Sequence, residues 1–330
     1  VGWGAGAMEN LGVMAGNGGL VSVVIPAFNE EDCIEALGRR LQEVFLLERQ
    51  YQFEVIVVDN GSIDNTLNLL TSLQNQDARF KVLELSRNFG ADGGITAGLS
   101  FAKGDAAVIM IADLQEPPYL ISAMLRKWEA GYETIYGIVE KRKGVGWLRR
   151  WNSKVFYAIA SRLSGGTIVQ NASDFRLIDK KVYQEVLRLR ETSRFLRGLF
   201  SWVGFRSVGI PFERDARHGG ESKAKTRTVV ALALRGILSN SVFPLRAISL
   251  VGVLAAMSAI AVFGYFTFRF LTVGVPFDGF GTLVGLNLLG FSFVTLFLGV
   301  IGEYLGLTYE ETRARPNFIV RNAWGFGLED

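Results

Sequence analysis

Two long uncharged runs near the carboxyl terminus constrain this chain more than any other feature. Ala247–Phe268 gives 22 consecutive residues without a charge, and Gly279–Gly302 gives 24 more. A helix of 22 residues is about 33 Å long, enough to cross a hydrocarbon core of about 30 Å. The connection Arg269–Asp278 is short, so the spacing predicts a transmembrane hairpin (about 247–270 and 280–302) with both ends on one side. Arg235 and Arg246 precede the pair, and Arg313, Arg315 and Arg321 follow it. That bias puts both ends in the cytoplasm, with a multi-pass anchor in the membrane.

Charge is distributed to match. The 330 residues carry 35 Lys and Arg against 32 Asp and Glu, a net of +3, and mean hydropathy is +0.25. Residues 1–139 have 9 basic and 18 acidic groups, 140–245 have 21 and 8, and 246–330 have 5 and 6. An acidic first part is thus followed by a strongly basic middle, where Lys141, Arg142, Lys143, Arg149 and Arg150 alternate with Trp147 and Trp151. No nucleic-acid-binding motif accompanies this charge, so its expected partner is an anionic membrane surface, with no nucleic acid. The segment 226–245 reads as an interfacial amphipathic stretch.

Scarce residues exclude several chemistries. One cysteine (Cys33) rules out an internal disulfide, and one histidine (His218) rules out histidine-clustered zinc. A catalytic metal would need oxygen ligands, hence Mg²⁺ or Mn²⁺. There is no G-x-x-x-x-G-K-[ST] loop, and the Gly-rich residues 1–19 read as a disordered leader without a basic n-region.

Residues 20–225 alternate β-branched runs with amphipathic stretches. Val21–Pro26, Phe53–Val58, Lys81–Leu85 and Ala106–Ile111 read as buried strands; Glu30–Arg49, Asp64–Gln76 and Ala91–Lys103 have helical spacing. The pattern predicts an α/β fold with a mostly parallel sheet, whose ligands bind at the carboxyl ends of the strands. Polar clusters stand at those ends: Asn29-Glu30, Asp59-Asn60-Gly61-Ser62 and Asp113-Leu114-Gln115.

These clusters also carry a resemblance. Val24-Ile25-Pro26-Ala27-Phe28-Asn29-Glu30, Val57-Val58-Asp59-Asn60-Gly61-Ser62-Ile63-Asp64, Ser86-Arg87-Asn88-Phe89-Gly90 and Ala112-Asp113-Leu114-Gln115-Glu116-Pro117-Pro118 follow in order. Ser173-Asp174-Phe175-Arg176-Leu177 and Glu213-Arg214 through Gly220-Glu221-Ser222-Lys223 come later. Together they resemble glycosyltransferase family 2, of the GT-A (Rossmann-like) fold, and within it the polyisoprenyl-phosphate glycosyltransferases related to dolichol-phosphate mannose synthase. The two-helix carboxyl terminus is similar to the bacterial membrane-anchored members.

The resemblance implies an inverting enzyme moving a hexose from a nucleotide sugar, UDP-glucose before GDP-mannose, to a polyprenyl (undecaprenyl) phosphate lipid. It assigns Pro26, Ala27, Asn29, Glu30, Asp59, Gly61 and Asn88 to the nucleotide. Asp113, with Gln115, is the expected metal ligand and catalytic residue. Asp174 would orient the sugar, act as a base, or simply pair with Arg176. Arg176, Arg214, Arg217, Ser222 and Lys223 are expected on phosphate or acceptor, since cations clamp phosphates. The exposed faces of a lone hairpin favour a homo-oligomer such as a tetramer, and 306–330 is expected as a cytoplasmic tail.

Two positions depart from the family pattern. Ile111 stands where the first Asp of Asp-Ala-Asp is common, and Asn60 where a second Asp is usual. Loss of the first carboxylate leaves open a non-catalytic scaffold that keeps the fold. A processive polysaccharide synthase is the rival among enzymes, but its Gln-x-x-Arg-Trp signature is absent.

Overall fold

The computed structural model describes residues 18–139, 172–191, 194–214 and 279–327, with single positions between 251 and 272. Two compact units emerge, one holding the sheet and the other holding the apolar carboxyl-terminal helix. The expected leader lies almost wholly outside the described residues, as do the interfacial segment 226–245 and the sites Arg217, Ser222 and Lys223.

Among the described residues, eight strands build one sheet. They are β1 (Leu20–Ala27), β2 (Gln52–Asp59), β3 (Phe80–Leu85), β4 (Ala106–Ile109), β5 (Thr134–Val139), β6 (Ala172–Asp179), β7 (Ser207–Phe212) and β8 (Val320–Trp324). The order across the sheet is β7-β5-β6-β4-β1-β2-β3-β8. Pairing is parallel through β4-β1-β2-β3 and between β5 and β7; β6 and β8 run against their neighbours. The mostly parallel α/β expectation holds.

The four central strands were legible as runs of Val and Ile because both faces are covered. Val23, Val24, Ile25, Val55, Ile56 and Val58 are fully buried. Helices α1 (Ile34–Leu47), α2 (Thr66–Gln76) and α4 (Leu120–Glu129) accompany them, with α3 (Gly90–Phe101), α5 (Lys180–Arg188) and α6 (Leu196–Trp202). Alternate residues of β1 divide between two cores: Val23 and Ile25 pack with α1, whereas Val24 packs with Ile95 and Leu99 of α3. Cys33 is buried at the start of α1. Strand β4 stops at Ile109, two residues before the apolar run does, because the chain turns there into a loop.

The second unit contains helix α7 (Phe280–Thr312), 33 residues long. Its stretch Leu289–Tyr309 has a mean hydropathy of 1.6, and none of it is buried. Among the described residues it is the one helix long and apolar enough to cross a membrane. The first apolar run is helical at every described position from 251 to 272, with Leu254, Met257, Ile260, Phe268 and Leu271 all exposed.

The expected tail, 306–330, is divided: α7 continues to Thr312, and β8 joins the sheet. Strand β8 lies antiparallel along β3, closing an edge that would otherwise expose unpaired backbone groups. Its polar residues serve the carboxylate of Glu84, which is only 8% exposed: Arg321 Nη1 and Asn322 Nδ2 donate to it at 3.1 and 2.6 Å. Five residues, Val-Arg-Asn-Ala-Trp, without a regular alternation carry no strand signal of their own.

Replacing both Arg321 and Asn322 by Ala should therefore leave a buried carboxylate without these donors and cost about 1–3 kcal/mol. A melting temperature of the full chain equal to wild type would contradict that role.

Candidate active site

Topology gathers the expected site residues at one edge of the sheet. Ala27 and Asp59 are register partners that end β1 and β2. Asn88 precedes α3, and Asp113 follows β4. Strand β6 runs the other way, with Arg176 opposite Ile109, so its first residues, including Asp174, lie beyond the carboxyl end of β4. Arg214 stands two residues past the end of β7, which is parallel to β5.

The loops after β1 and β2 interlock. Asn29 has a left-handed backbone (φ 52°), a conformation Asn tolerates better than most side chains. Its N–H donates to Ser62 Oγ at 3.0 Å, and its Oδ1 accepts from the Ile63 N–H at 2.9 Å. The Glu30 N–H donates to Thr66 Oγ1 at 2.9 Å. Gly61 adopts φ 73°, and a Cβ there would stand 2.9 Å from the Arg87 carbonyl carbon, so two requirements select glycine. Asp59 is 1% exposed; burial pushes its carboxyl above the ordinary value, against hydrogen bonds from Ser62 and helped by the charges of Glu84 and Asp64.

Asn60, the second departure from the family pattern, has a structural use. Its Nδ2 donates to the Gly90 carbonyl at 2.8 Å, and its Oδ1 accepts from the Phe89 N–H at 2.9 Å. An aspartate cannot donate, so the amide alone satisfies both groups. This stitch fixes the start of α3, next to Asn88, whose own Oδ1 accepts from the Gly90 N–H at 2.8 Å.

The loop after β4 is strained and buried. Leu114 has φ 57°, a conformation costing about 1–2 kcal/mol for an L-residue, and its fully buried side chain holds it there. Asp113 is 5% exposed, and its Oδ1 accepts from the Gln115 N–H at 3.1 Å. Glu116, which sequence reasoning assigned no role, is the hub. Its carboxylate accepts from the Ser173 hydroxyl, from the Ile111 N–H (3.3 Å) and from Arg214 Nη2 (3.4 Å). It thus joins the segments around β4, β6 and β7. Burial pushes its carboxyl up, against the pull of Ser173 and Arg214. Arg214 Nε is buried without a hydrogen-bond partner among the described residues.

Around β6 the charges pair differently from expectation. Asp174 pairs with Arg197 of α6, through Nε–Oδ1 and Nη2–Oδ2 contacts of 2.5 Å each. Arg176 is 4% exposed and donates to the carbonyls of Ser173 (3.0 Å) and Asp174 (3.3 Å), with its guanidinium 4.8 Å from the Phe200 ring centre. Burial lowers its pKa to about 10. Arg197 and Asp92 were invisible in the sequence as site residues: a lone Arg beside Leu196 looks like solvated surface.

For a metal, Asp113 and Gln115 offer one carboxylate and one amide oxygen two residues apart in one loop. Ile111 leaves the usual first carboxylate missing. Among the described residues, no group of three or more His, Cys, Asp or Glu could hold an ion. This donor set suits Mg²⁺ or Mn²⁺ bound largely by a substrate diphosphate and water, as is common for Mg²⁺.

A mostly parallel sheet with its polar groups at this edge agrees with the GT-A fold. The glycosyl transferase family 2 model matches residues 22–187, and the chain belongs to that family. It is 38% identical over 305 residues to an uncharacterised glycosyltransferase of Synechocystis sp., covering 92% of this chain and 96% of the relative. It is 33% identical over 309 residues to the bactoprenol glucosyl transferase of Shigella phage SfV, covering 92% and 98%. Among solved structures, glucosyl-3-phosphoglycerate synthase from Mycobacterium tuberculosis aligns with 68% of this chain and 80% of its own, at 18% identity and a TM-score of 0.47.

Asn60→Asp, which restores the more usual residue, should destabilise the protein by about 1–3 kcal/mol, because the Gly90 carbonyl loses its donor and a charge is buried beside Asp59. A melting curve indistinguishable from wild type would remove the stitch from this account.

Proposed function

We propose that this enzyme transfers a hexose, glucose from UDP-glucose, onto the phosphate of a polyprenyl phosphate at the cytoplasmic face of a bacterial membrane. The observation that carries this reading is the order of chemistries along one sheet edge. The Asn29 turn and the buried carboxylate of Asp59, at the ends of β1 and β2, lie on one side of Asp113, and Arg214, whose buried Nε has no hydrogen-bond partner among the described residues, follows β7 on the other. A nucleoside offers hydroxyl and amide donors to the first; phosphates suit the second. Relatives named bactoprenol glucosyl transferase, aligned over nearly their whole length, support the same acceptor and sugar.

In the proposed reaction a phosphate oxygen of the lipid attacks C1 of the hexose. The C1–O bond to the diphosphate breaks, UDP leaves with the electron pair, and the anomeric configuration inverts. The attacking phosphate is already ionised near neutral pH, so no strong base is required. Asp113 and Gln115 would hold Mg²⁺ or Mn²⁺, which when bound neutralises charge on the departing diphosphate. Pro26, Ala27, Asn29, Glu30, Asp59, Gly61 and Asn88 would cradle the nucleoside. Arg214, with Arg217, Ser222 and Lys223 from outside the described residues, would hold phosphate oxygens. Both apolar helices would anchor the chain as a hairpin, which is also the face for self-association.

The test is incubation of the full chain with undecaprenyl phosphate and a panel of nucleotide sugars including UDP-glucose and GDP-mannose, reading products by mass. A glucosylated lipid phosphate from UDP-glucose is expected; product from GDP-mannose alone would reassign the donor. Asp113→Ala should lower turnover by about a hundredfold or more. Unchanged turnover in that variant would contradict the metal assignment. No product from any donor would favour the non-catalytic scaffold that Ile111 leaves open.

A further inference from the structure

Both oxygens of the Asp174 carboxylate are held by one guanidinium. Arg197 meets Oδ1 through Nε and Oδ2 through Nη2, each at 2.5 Å, a two-pronged contact that fixes direction as well as distance. Arg197 is itself seated. The Asp92 carboxylate, on the first turn of α3, lies within electrostatic reach of the Arg197 guanidinium and of the backbone at Leu196, the first residue of α6. The start of α3 is in turn stitched to the nucleotide-side loop by Asn60. A continuous path therefore runs from the loop after β2, through α3 and α6, to Asp174.

We propose that Arg197, seated by Asp92, is a positioning residue that holds the Asp174 carboxylate in one orientation to accept a hydrogen bond from a hydroxyl of the donor hexose. This rests on the glycosyl-transfer reading above and specifies what Asp174 does within it.

Three observations support it. First, a carboxylate oxygen has two lone-pair directions, and Arg197 takes one on each oxygen, which leaves an acceptor on each for a neutral hydroxyl. Second, the surroundings keep Asp174 charged: burial alone would raise its pKa, but Arg197, Arg176 and Arg214 hold it below the ordinary carboxylate value. Such a group is a poor proton acceptor and a good hydrogen-bond acceptor, and a phosphate nucleophile requires no base. Third, the carboxylate repels the acceptor phosphate, so among the substrate's groups the sugar hydroxyls are its fitting ligands. Asp92 completes the balance: burial and the negative charge of Asp174 raise it to about 6, while Arg197 pulls the other way. One guanidinium thus serves two carboxylates.

The role predicts a sugar-specific defect. The full chain in detergent is titrated with UDP and with UDP-glucose by calorimetry, for wild type, Arg197→Ala, Arg197→Lys and Asp174→Asn. Lipid-linked glucose formation is followed in parallel. Arg197→Ala should lose about tenfold or more of its UDP-glucose affinity while its UDP affinity moves less than about twofold. Arg197→Lys, which keeps the charge but not the fork, should fall between wild type and Ala. Arg197 is 43% exposed in its side chain, so these variants are expected to fold, and their melting temperatures check it. If Arg197→Ala weakens UDP and UDP-glucose alike, or neither, the positioning role is wrong. A wild-type protein that transfers no hexose refutes the proposed function itself, an outcome separate from either.

Discussion

Four parallel strands buried on both faces can carry a polar group inside only where a partner is buried with it, as Ser22 and Glu54 are, so polar groups free to meet a ligand fall where the strands end. Strands β1, β2, β3 and β4 are mostly Val, Ile, Leu and Ala in their interiors, because helices and further strands cover them. The residues able to recognise a charged substrate are consequently pushed to the carboxyl edge, where loops leave the sheet. Asn29, Asp59, Asn60 and Asp113 all obey that constraint. The antiparallel insertion of β6 brings Asp174 to the same edge from the opposite chain direction.

Holding those loops together takes buried polar groups rather than apolar packing. Asn60 ties the β2 loop to the start of α3, and Glu116 ties the loop after β4 to Ser173 and Arg214. Each is nearly inaccessible, at 3% and 0% exposure, so each bond is made where water cannot replace it. Asn60 is itself a departure from the family pattern, and Glu116 bonds to the other, Ile111. Asn60 gains a donor that an aspartate lacks, and the Glu116 carboxylate reaches the backbone N–H of Ile111, the position where a metal-ligating carboxylate is otherwise common.

The sequence was informative where periodicity or position carries the signal. The strands β1 to β4 and the helices between them showed as β-branched and amphipathic runs, within a few residues of their observed ends. The later strands did not. Strand β6 contains Asp174 and Arg176, whose charge hides a strand, since Arg197 neutralises one and backbone carbonyls satisfy the other only in the folded protein. Strand β8 follows a 33-residue apolar helix and exists because β3 offers an edge. The same limit applies to the site. Asp59 and Asp113 were readable from their places after strands, whereas Arg197 and Asp92 gain meaning only from partners 23 and more than 100 residues away.

On the proposed reading the nucleophile is an ionised lipid phosphate, so no side-chain base is required and the Asp174 carboxylate can be locked by Arg197. The direct measurement compares undecaprenyl phosphate with undecaprenol as acceptors for the full chain, supplied with UDP-glucose and Mg²⁺ or Mn²⁺, with products identified by mass. The account predicts glucosylated undecaprenyl phosphate, with the alcohol giving none. Equal transfer to the alcohol would require a general base at C1 and would contradict it.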